Sequence, residues 1–316
     1  LGKKILPGTA YLEMARAAAA EGFASAPAEL REVYFLRPLI VDRGEITIVR
    51  TVLQRQDDGW NFMILSQSSA PEQDEWVEHT RGEIRRATGR EKDTPPKTLD
   101  VEAIQRACDR ESPASTSSLT ELETFQASMS TFGPHWHNLV QAHFGQDQAL
   151  GEFELHQRFV EELDQFHLHP ALLDNATGFL KVKEDEGPAL PFSYRSIRLY
   201  DSVPGRAYSH VRRRSGENEN TVSYDITIAD PQGRVVVDIE SYALRVVPQE
   251  SATSRIFAGD APENTALALG QRGSLSTFFF SPEPRREPAE GEVEIEIKVT
   301  GLNFIEVLYS LGMLSH

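Results

Sequence analysis

Phe166-His167-Leu168-His169-Pro170-Ala171-Leu172-Leu173-Asp174-Asn175-Ala176-Thr177-Gly178-Phe179-Leu180 is the stretch on which the fold turns. Leu172, Leu173, Ala176, Phe179 and Leu180 recur at helical spacing. Pro170 suits the first turn of a helix, where its missing N–H costs nothing. The pattern predicts an apolar helix over about 170–183. One carboxylate, Asp174, stands a turn inside it. A lone Asp usually faces solvent, but the apolar neighbours on both sides place this one in a buried or half-buried setting. A buried carboxyl has a raised pKa and holds its proton at neutral pH, which a general acid requires.

The same plan occurs near the start of the chain. Pro7-Gly8-Thr9 punctuates, and Tyr11, Leu12, Met14, Ala15, Ala18 and Ala19 form an apolar stripe. This predicts a second helix over about 9–22 with Thr9 as its N-cap. The small residues Ala17 to Ala20 suit close packing on a sheet. Strand patterns follow each helix: 46–52, 60–65 and 76–84 after the first, and 192–200, 207–213, 221–229 and 234–246 after the second, with one more at 148–156 ahead of it. Asp57-Asp58-Gly59 and Asp230-Pro231-Gln232-Gly233 read as turns. Residues 87–117, with a short helical pattern around Val101–Cys108, read as a linker between halves 1–86 and 118–247. Residues 248–263 form a second, polar linker. Residues 264–316 read as an incomplete further domain, with a strand at Val293–Val299.

Composition sets wider bounds. The chain has 316 residues, enough for about two domains. Hydrophobic residues make up 40% of it, so a sizeable core is expected. No apolar run reaches membrane-span length. The sequence starts at Leu1 in mid-pattern and is expected to be part of a longer polypeptide. The single Cys108 excludes an internal disulfide and fits a reducing, cytoplasmic compartment. A net charge of -16 argues against nucleic-acid binding, which needs a basic face.

Three segments carry a resemblance. His169-Pro170-Ala171-Leu172-Leu173-Asp174 resembles the second active-site motif of polyketide synthase dehydratase domains. Gly2 and Pro7 match the tail of the first motif, a His, three residues, a Gly, four residues and a Pro. Phe132-Gly133-Pro134-His135-Trp136-His137-Asn138-Leu139 resembles the third. Two positions depart from the family: Phe132 replaces a usual Tyr, and Gly178 stands four residues after the Asp, where Gln or His is usual.

The resemblance covers residues 1–247 and implies an α+β double hotdog, two antiparallel sheets each wrapped around a central helix. It implies dehydration of a 3-hydroxyacyl chain carried by phosphopantetheine on an acyl carrier protein, with no cofactor in the dehydratase itself. Asp174 would be the acid, and the base would be a His four residues ahead of Gly2, before Leu1. Substrate contacts would come from Pro7, Gly8, Phe132, Gly133, Pro134, His169, Pro170, Leu173 and Gly178. The helix terminus near Gly8 would polarise the thioester carbonyl. A homodimer within a multidomain synthase is expected, without nucleic acid or membrane. Related chemistries of the same fold, double-bond shifting or cyclic-ether formation, and an inactive structural domain are the alternatives.

The tail, with Gly291-Glu292-Val293-Glu294-Ile295 and Gly301-Leu302-Asn303-Phe304, resembles the start of an enoylreductase. NADPH belongs to the complete enoylreductase and is not expected on this fragment, which has no Gly-rich loop after these strands. His135-x-His137 and His167-x-His169 could each share a strand face, but further metal ligands are wanting: Gln141 and Ala142 stand where a Glu would follow the first pair. Arg212-Arg213-Arg214 reads as a solvated strand end, or alternatively as a carrier phosphate contact.

Overall fold

The structure is a computed structural model that describes residues 4–22, 27–41, 46–57, 59–67, 76–86, 98–111, 133–179, 189–214, 221–246, 265–269 and 278–282, with the isolated positions 288, 289 and 293. The chain divides into two units, Leu1–Gln249 and Glu250–His316.

The first unit is organised around a ten-stranded sheet. Its strands are β2 (Pro27–Phe35), β4 (Val49–Gln56), β5 (Gly59–Gln67), β6 (Trp76–Arg86), β7 (Leu139–Phe144), β8 (Gln148–Glu154), β9 (Ala189–Leu199), β10 (Arg206–Arg213), β11 (Thr221–Ala229) and β12 (Val235–Val246). Two-residue β1 (Lys4–Ile5) and β3 (Ile40–Val41) pair separately. The spatial order is β4-β5-β6-β2-β9-β12-β11-β10-β8-β7, every neighbouring pair antiparallel. The strands fall into two groups, β4-β5-β6-β2 with helix α1 (Gly8–Gly22), and β9-β12-β11-β10-β8-β7 with helix α3 (Pro170–Gly178). Their two sheets are hydrogen-bonded edge to edge through β2 and β9, in a register that sets Leu30 opposite Ile197 and Val33 opposite Tyr194.

The helices bury the faces that their apolar spacing marked. Leu12, Ala15 and Ala19 of α1 are fully buried, as are Leu30, Phe62, Ile64 and Ile84 of the first half's strands. Leu172, Leu173 and Ala176 of α3 join Phe153, Val211, Ile226 and Val237 in the same continuous core. Each fully buried Leu, Ile, Val or Phe side chain among these stabilises by about 1.5–3 kcal/mol. Each half also seats a phenylalanine on a glycine. A Cβ at Gly82 would meet the Phe62 ring at 2.7 Å, and one at Gly151 would meet the Phe153 ring at 2.6 Å. The 230–233 turn forms as expected: Asp230 Oδ1 accepts from the N–H groups of Gln232 and Arg234, and Gly233 takes φ +80.

Several features differ from the sequence reading. Helix α1 begins at Gly8, so Thr9 lies inside it and is not its N-cap; its hydroxyl donates instead to Pro170 O, 2.9 Å away. Helix α3 ends at Gly178 with Phe179 as its C-cap, and the remainder of the expected 170–183 helix falls outside the described residues. Strand β7 and a 3₁₀ helix at Gln157–Asp164 carried no strong periodic signal. Within the expected linker, α2 (Val101–Glu111) packs against β7 and β8, buries Cys108, and places Asp109 2.8 Å from His143.

In the second unit, β13 (Thr265–Leu269) and β14 (Phe278–Pro282) form an antiparallel pair. The strand expected at Val293–Val299 and the segment from Gly301 lie outside the described residues, apart from Val293, which is exposed. No described helix is long and apolar enough to cross a membrane.

Candidate active site

Helix α3 starts from His169 as its N-cap, with Pro170 in the first turn. This brings Asp174 under a second 3₁₀ turn, Pro134–Trp136. There the indole Nε1–H of Trp136 donates to Asp174 Oδ2 at 2.7 Å. An asparagine pair fixes the two segments to each other. Asn175 Nδ2 donates to Trp136 O (2.7 Å) and to Asn138 Oδ1 (2.9 Å). Asn138 Nδ2 donates to His135 O (2.9 Å) and Ala171 O (3.1 Å). Both asparagines are buried, so each of these bonds also satisfies a polar group that water cannot reach.

Asp174 is half-buried by its exposure. Its carboxyl is nonetheless enclosed on the scale of a carboxylate's hydration shell. Desolvation pushes its pKa up, opposed by the single Trp136 hydrogen bond. Beneath it, Tyr194 and Tyr242 stack with ring centroids 4.3 Å apart. Burial raises both phenols, and the charge of a nearby ionised Asp174 adds to the effect, so both remain protonated. Thr177 hydroxyl caps Leu173 O inside α3.

The first half holds the segment entering α3. Glu13 of α1 accepts the backbone N–H groups of His167 (3.2 Å) and Leu168 (2.9 Å). Arg16 donates to the same carboxylate through Nε and Nη2, both at 2.8 Å. With the Thr9 bond to Pro170 O, these contacts join the first and second motifs.

The expected site residues divide into groups. Pro7 precedes α1 and Gly8 opens it, and a Cβ at Gly8 would stand 3.0 Å from the Phe35 ring. Gly133 and Pro134 are exposed where the Trp136 turn begins. Phe132 lies outside the described residues. Pro170 is half-buried beside Thr9. Leu173 is fully buried among core side chains. Gly178 is exposed at the end of α3, where a Cβ would meet nothing within 4 Å. His169 is buried, with Nε2 3.3 Å from Glu162 Oε2. Its pKa is lowered, chiefly by burial. His135 is half-buried, with Nε2 3.0 Å from Glu162 Oε1. Among the described residues no cluster of His, Cys, Asp and Glu could hold a metal ion. Arg214 is paired with Asp225 at 2.6 Å, while Arg212 is exposed at the strand end.

Sequence reasoning overlooked Trp136, Asn138, Asn175, Glu13 and Glu162. Trp136 stood inside a quoted motif, and its indole can only donate, which pairs it with an acceptor. Glu13 and Arg16, three apart on an apolar helix, carried the mark of a local ion pair.

Comparison with known proteins gives a consistent picture. Residues 98–254 match the model "Polyketide synthase dehydratase N-terminal domain", and residues 1–67 match "Polyketide synthase dehydratase domain". Polyketide synthase PksM of Bacillus subtilis (strain 168) is 27% identical over 265 residues, 79% of this chain and 6% of that protein. Polyketide synthase ThaG of Burkholderia thailandensis is 32% identical over 291 residues, 89% of this chain and 5% of that protein. The chain thus spans a small fraction of the length of these relatives. A trans-AT polyketide synthase dehydratase domain from Brevibacillus brevis superposes with a TM-score of 0.68 at 26% identity, covering 78% of this chain and 87% of that one. The dehydratase domain from the CurF module of the curacin polyketide synthase gives 0.67 at 26% identity, covering 78% and 86%.

Proposed function

The chain belongs to the polyketide synthase dehydratase domains, and from that premise we propose that it removes water from a 3-hydroxyacyl thioester during polyketide synthesis, with Asp174 as the acid. The observation that carries the assignment of the acid is a carboxyl whose pKa burial raises, held by the Trp136 indole N–H. Such a group keeps a proton to deliver. The C2 proton passes to the imidazole that the family's first motif carries four residues before its glycine. The C2–H electrons form the C2=C3 bond, the C3–O bond breaks, and the departing oxygen takes the proton of Asp174 and leaves as water. The protonated Tyr194 and Tyr242 beneath α3 keep the surroundings of Asp174 free of a second negative charge.

The substrate is expected to arrive on the phosphopantetheine arm of an acyl carrier protein, with the domain a homodimer beside other synthase domains. Residues 264–316 are read as the opening of an enoylreductase. Retention of Asp174 favours dehydration over the double-bond-shifting relatives, which tend to lose this acid.

The test is mass spectrometry of the carrier-bound product in the full-length polypeptide. Asp174→Asn should slow the loss of water by roughly 10²–10⁴-fold, the contribution of a positioned general acid, while substrate binding is largely kept. Dehydration at the parent rate would remove Asp174 from the role.

A further inference from the structure

Glu162 sits outside all three motifs, yet it reaches two of them. It lies in the 3₁₀ helix Gln157–Asp164, between β8 and α3. Its Oε1 is 3.0 Å from His135 Nε2, and its Oε2 is 3.3 Å from His169 Nε2. The same short helix presents Phe159, three residues earlier and so on the same face. The Phe159 ring stacks on His135 with centroids 3.7 Å apart. His135 is thus gripped from two sides by one segment.

What those imidazoles carry gives the contact its meaning. His135 immediately precedes Trp136, whose indole N–H is the hydrogen-bond donor to Asp174. His169 is the N-cap of α3, the helix that carries Asp174. The donor and the acceptor of one hydrogen bond are therefore set by two segments, and one carboxylate spans both. An ionised carboxylate only accepts, so each imidazole must donate from Nε2. The two hydrogen bonds hold Glu162 below its ordinary range although partial burial acts the other way, so it is ionised at neutral pH. His169, lowered by burial, is then neutral with its proton on Nε2.

We propose that Glu162 is a positioning residue for Asp174: by accepting from His135 and His169 at once, it ties the Trp136 turn to the start of α3 and sets the indole against the acid. This rests on Asp174 being the acid. Glu162 itself is half-buried at the surface, so replacing it need not disturb the core. A small displacement of an acid from its working geometry costs up to about 10²-fold in rate.

The experiment uses the full-length polypeptide for kinetics, and the 316-residue chain labelled with 15N at Trp and His for NMR. The Trp136 indole resonance is identified by its loss in Trp136→Phe. Glu162→Ala should move that resonance toward the position of an indole in water and release His169 from its Nε2–H tautomer. It should also lower kcat roughly 10- to 100-fold with KM little changed. Glu162→Gln can accept from only one imidazole, so it should return part of the rate and disturb the tautomer of the other. If Glu162→Ala leaves the Trp136 resonance, the His169 tautomer and kcat in place, the proposal is overturned. Failure of the dehydratase reading looks different: Asp174→Asn would then dehydrate normally, whereas the NMR response to Glu162→Ala does not depend on turnover.

Discussion

Two carboxylates sit on the two central helices, Glu13 on α1 and Asp174 on α3, and they differ in company. Glu13 faces a guanidinium and two backbone N–H groups. Asp174 faces one indole N–H above stacked tyrosines. Both were taken out of water, but only the first was given a compensating charge. A buried charge is tolerated when it is paired and hydrogen-bonded; a carboxyl without that compensation keeps its proton. The duplicated architecture therefore holds one carboxylate as an ion-paired clamp in one half and, in the other, a carboxyl whose pKa burial raises, the group we propose as the proton donor.

The contrast breaks most sharply at Glu13. Glu13→Ala leaves Arg16 buried without its partner and frees the 167–168 backbone, so it should lower unfolding stability by about 3–5 kcal/mol, read by urea denaturation. A loss below about 1 kcal/mol would place the clamp elsewhere.

Trp136→Phe tests the other carboxylate. The indole bond favours the ionised form, so its removal should raise the pKa of Asp174 further. Dehydration by an acid fails as pH rises through that pKa, so the alkaline limb of the pH–rate profile should move upward. A hydrogen bond to a charged group contributes about 1.5–3 kcal/mol, equivalent to roughly 1–2 pH units. A limb that stays in place or moves down would mean that the indole does not tune the acid.

Asp174→Asn should change stability in the direction opposite to Glu13→Ala. The folded pKa of Asp174 lies above its unfolded value. Its favourable share of stability is present below the unfolded value, near 3.8, and is lost as pH rises through the folded one. The Asn variant should therefore gain on the parent at neutral and alkaline pH, by about 1.4 kcal/mol for every pH unit between the two midpoints. The gain should vanish in acid below the unfolded value. A gain that does not depend on pH would point to packing instead.

The smallest effect belongs to Gly178. With open space around its Cβ and a place at the end of α3, Gly178→Ala should stabilise by at most about 1 kcal/mol through helix propensity. Gly151→Ala, against the Phe153 ring, should destabilise by about 1–3 kcal/mol. Thermal melts of the two variants distinguish free space from filled space.

Much of this was legible in the residues. Strand-like runs bounded by turn residues marked β5, β6, β10, β11 and β12 to within a few residues. The apolar spacing around Asp174 found α3. What escaped was relational. Nothing near Asn138 or Asn175 announces that they bond to each other across 37 residues, and no periodicity marks Glu162 as the common partner of two histidines. Thr9 had the local look of an N-cap, but its hydroxyl serves Pro170 O, 161 residues away. Leu173 carried a motif position, and the structure places it fully buried in the core.

The β2–β9 seam also bears on how the chain is made. The hydrogen bond from Ser196 to Glu29 across it spans 167 residues. At a synthesis rate of about 5–20 residues per second, β2 waits roughly 10–30 s for β9 to emerge. During that time one edge of the first half offers unpaired N–H and C=O groups to any passing strand. A ribosome stalled before β9 would release a half-domain whose open side is already shaped to accept a strand from another chain.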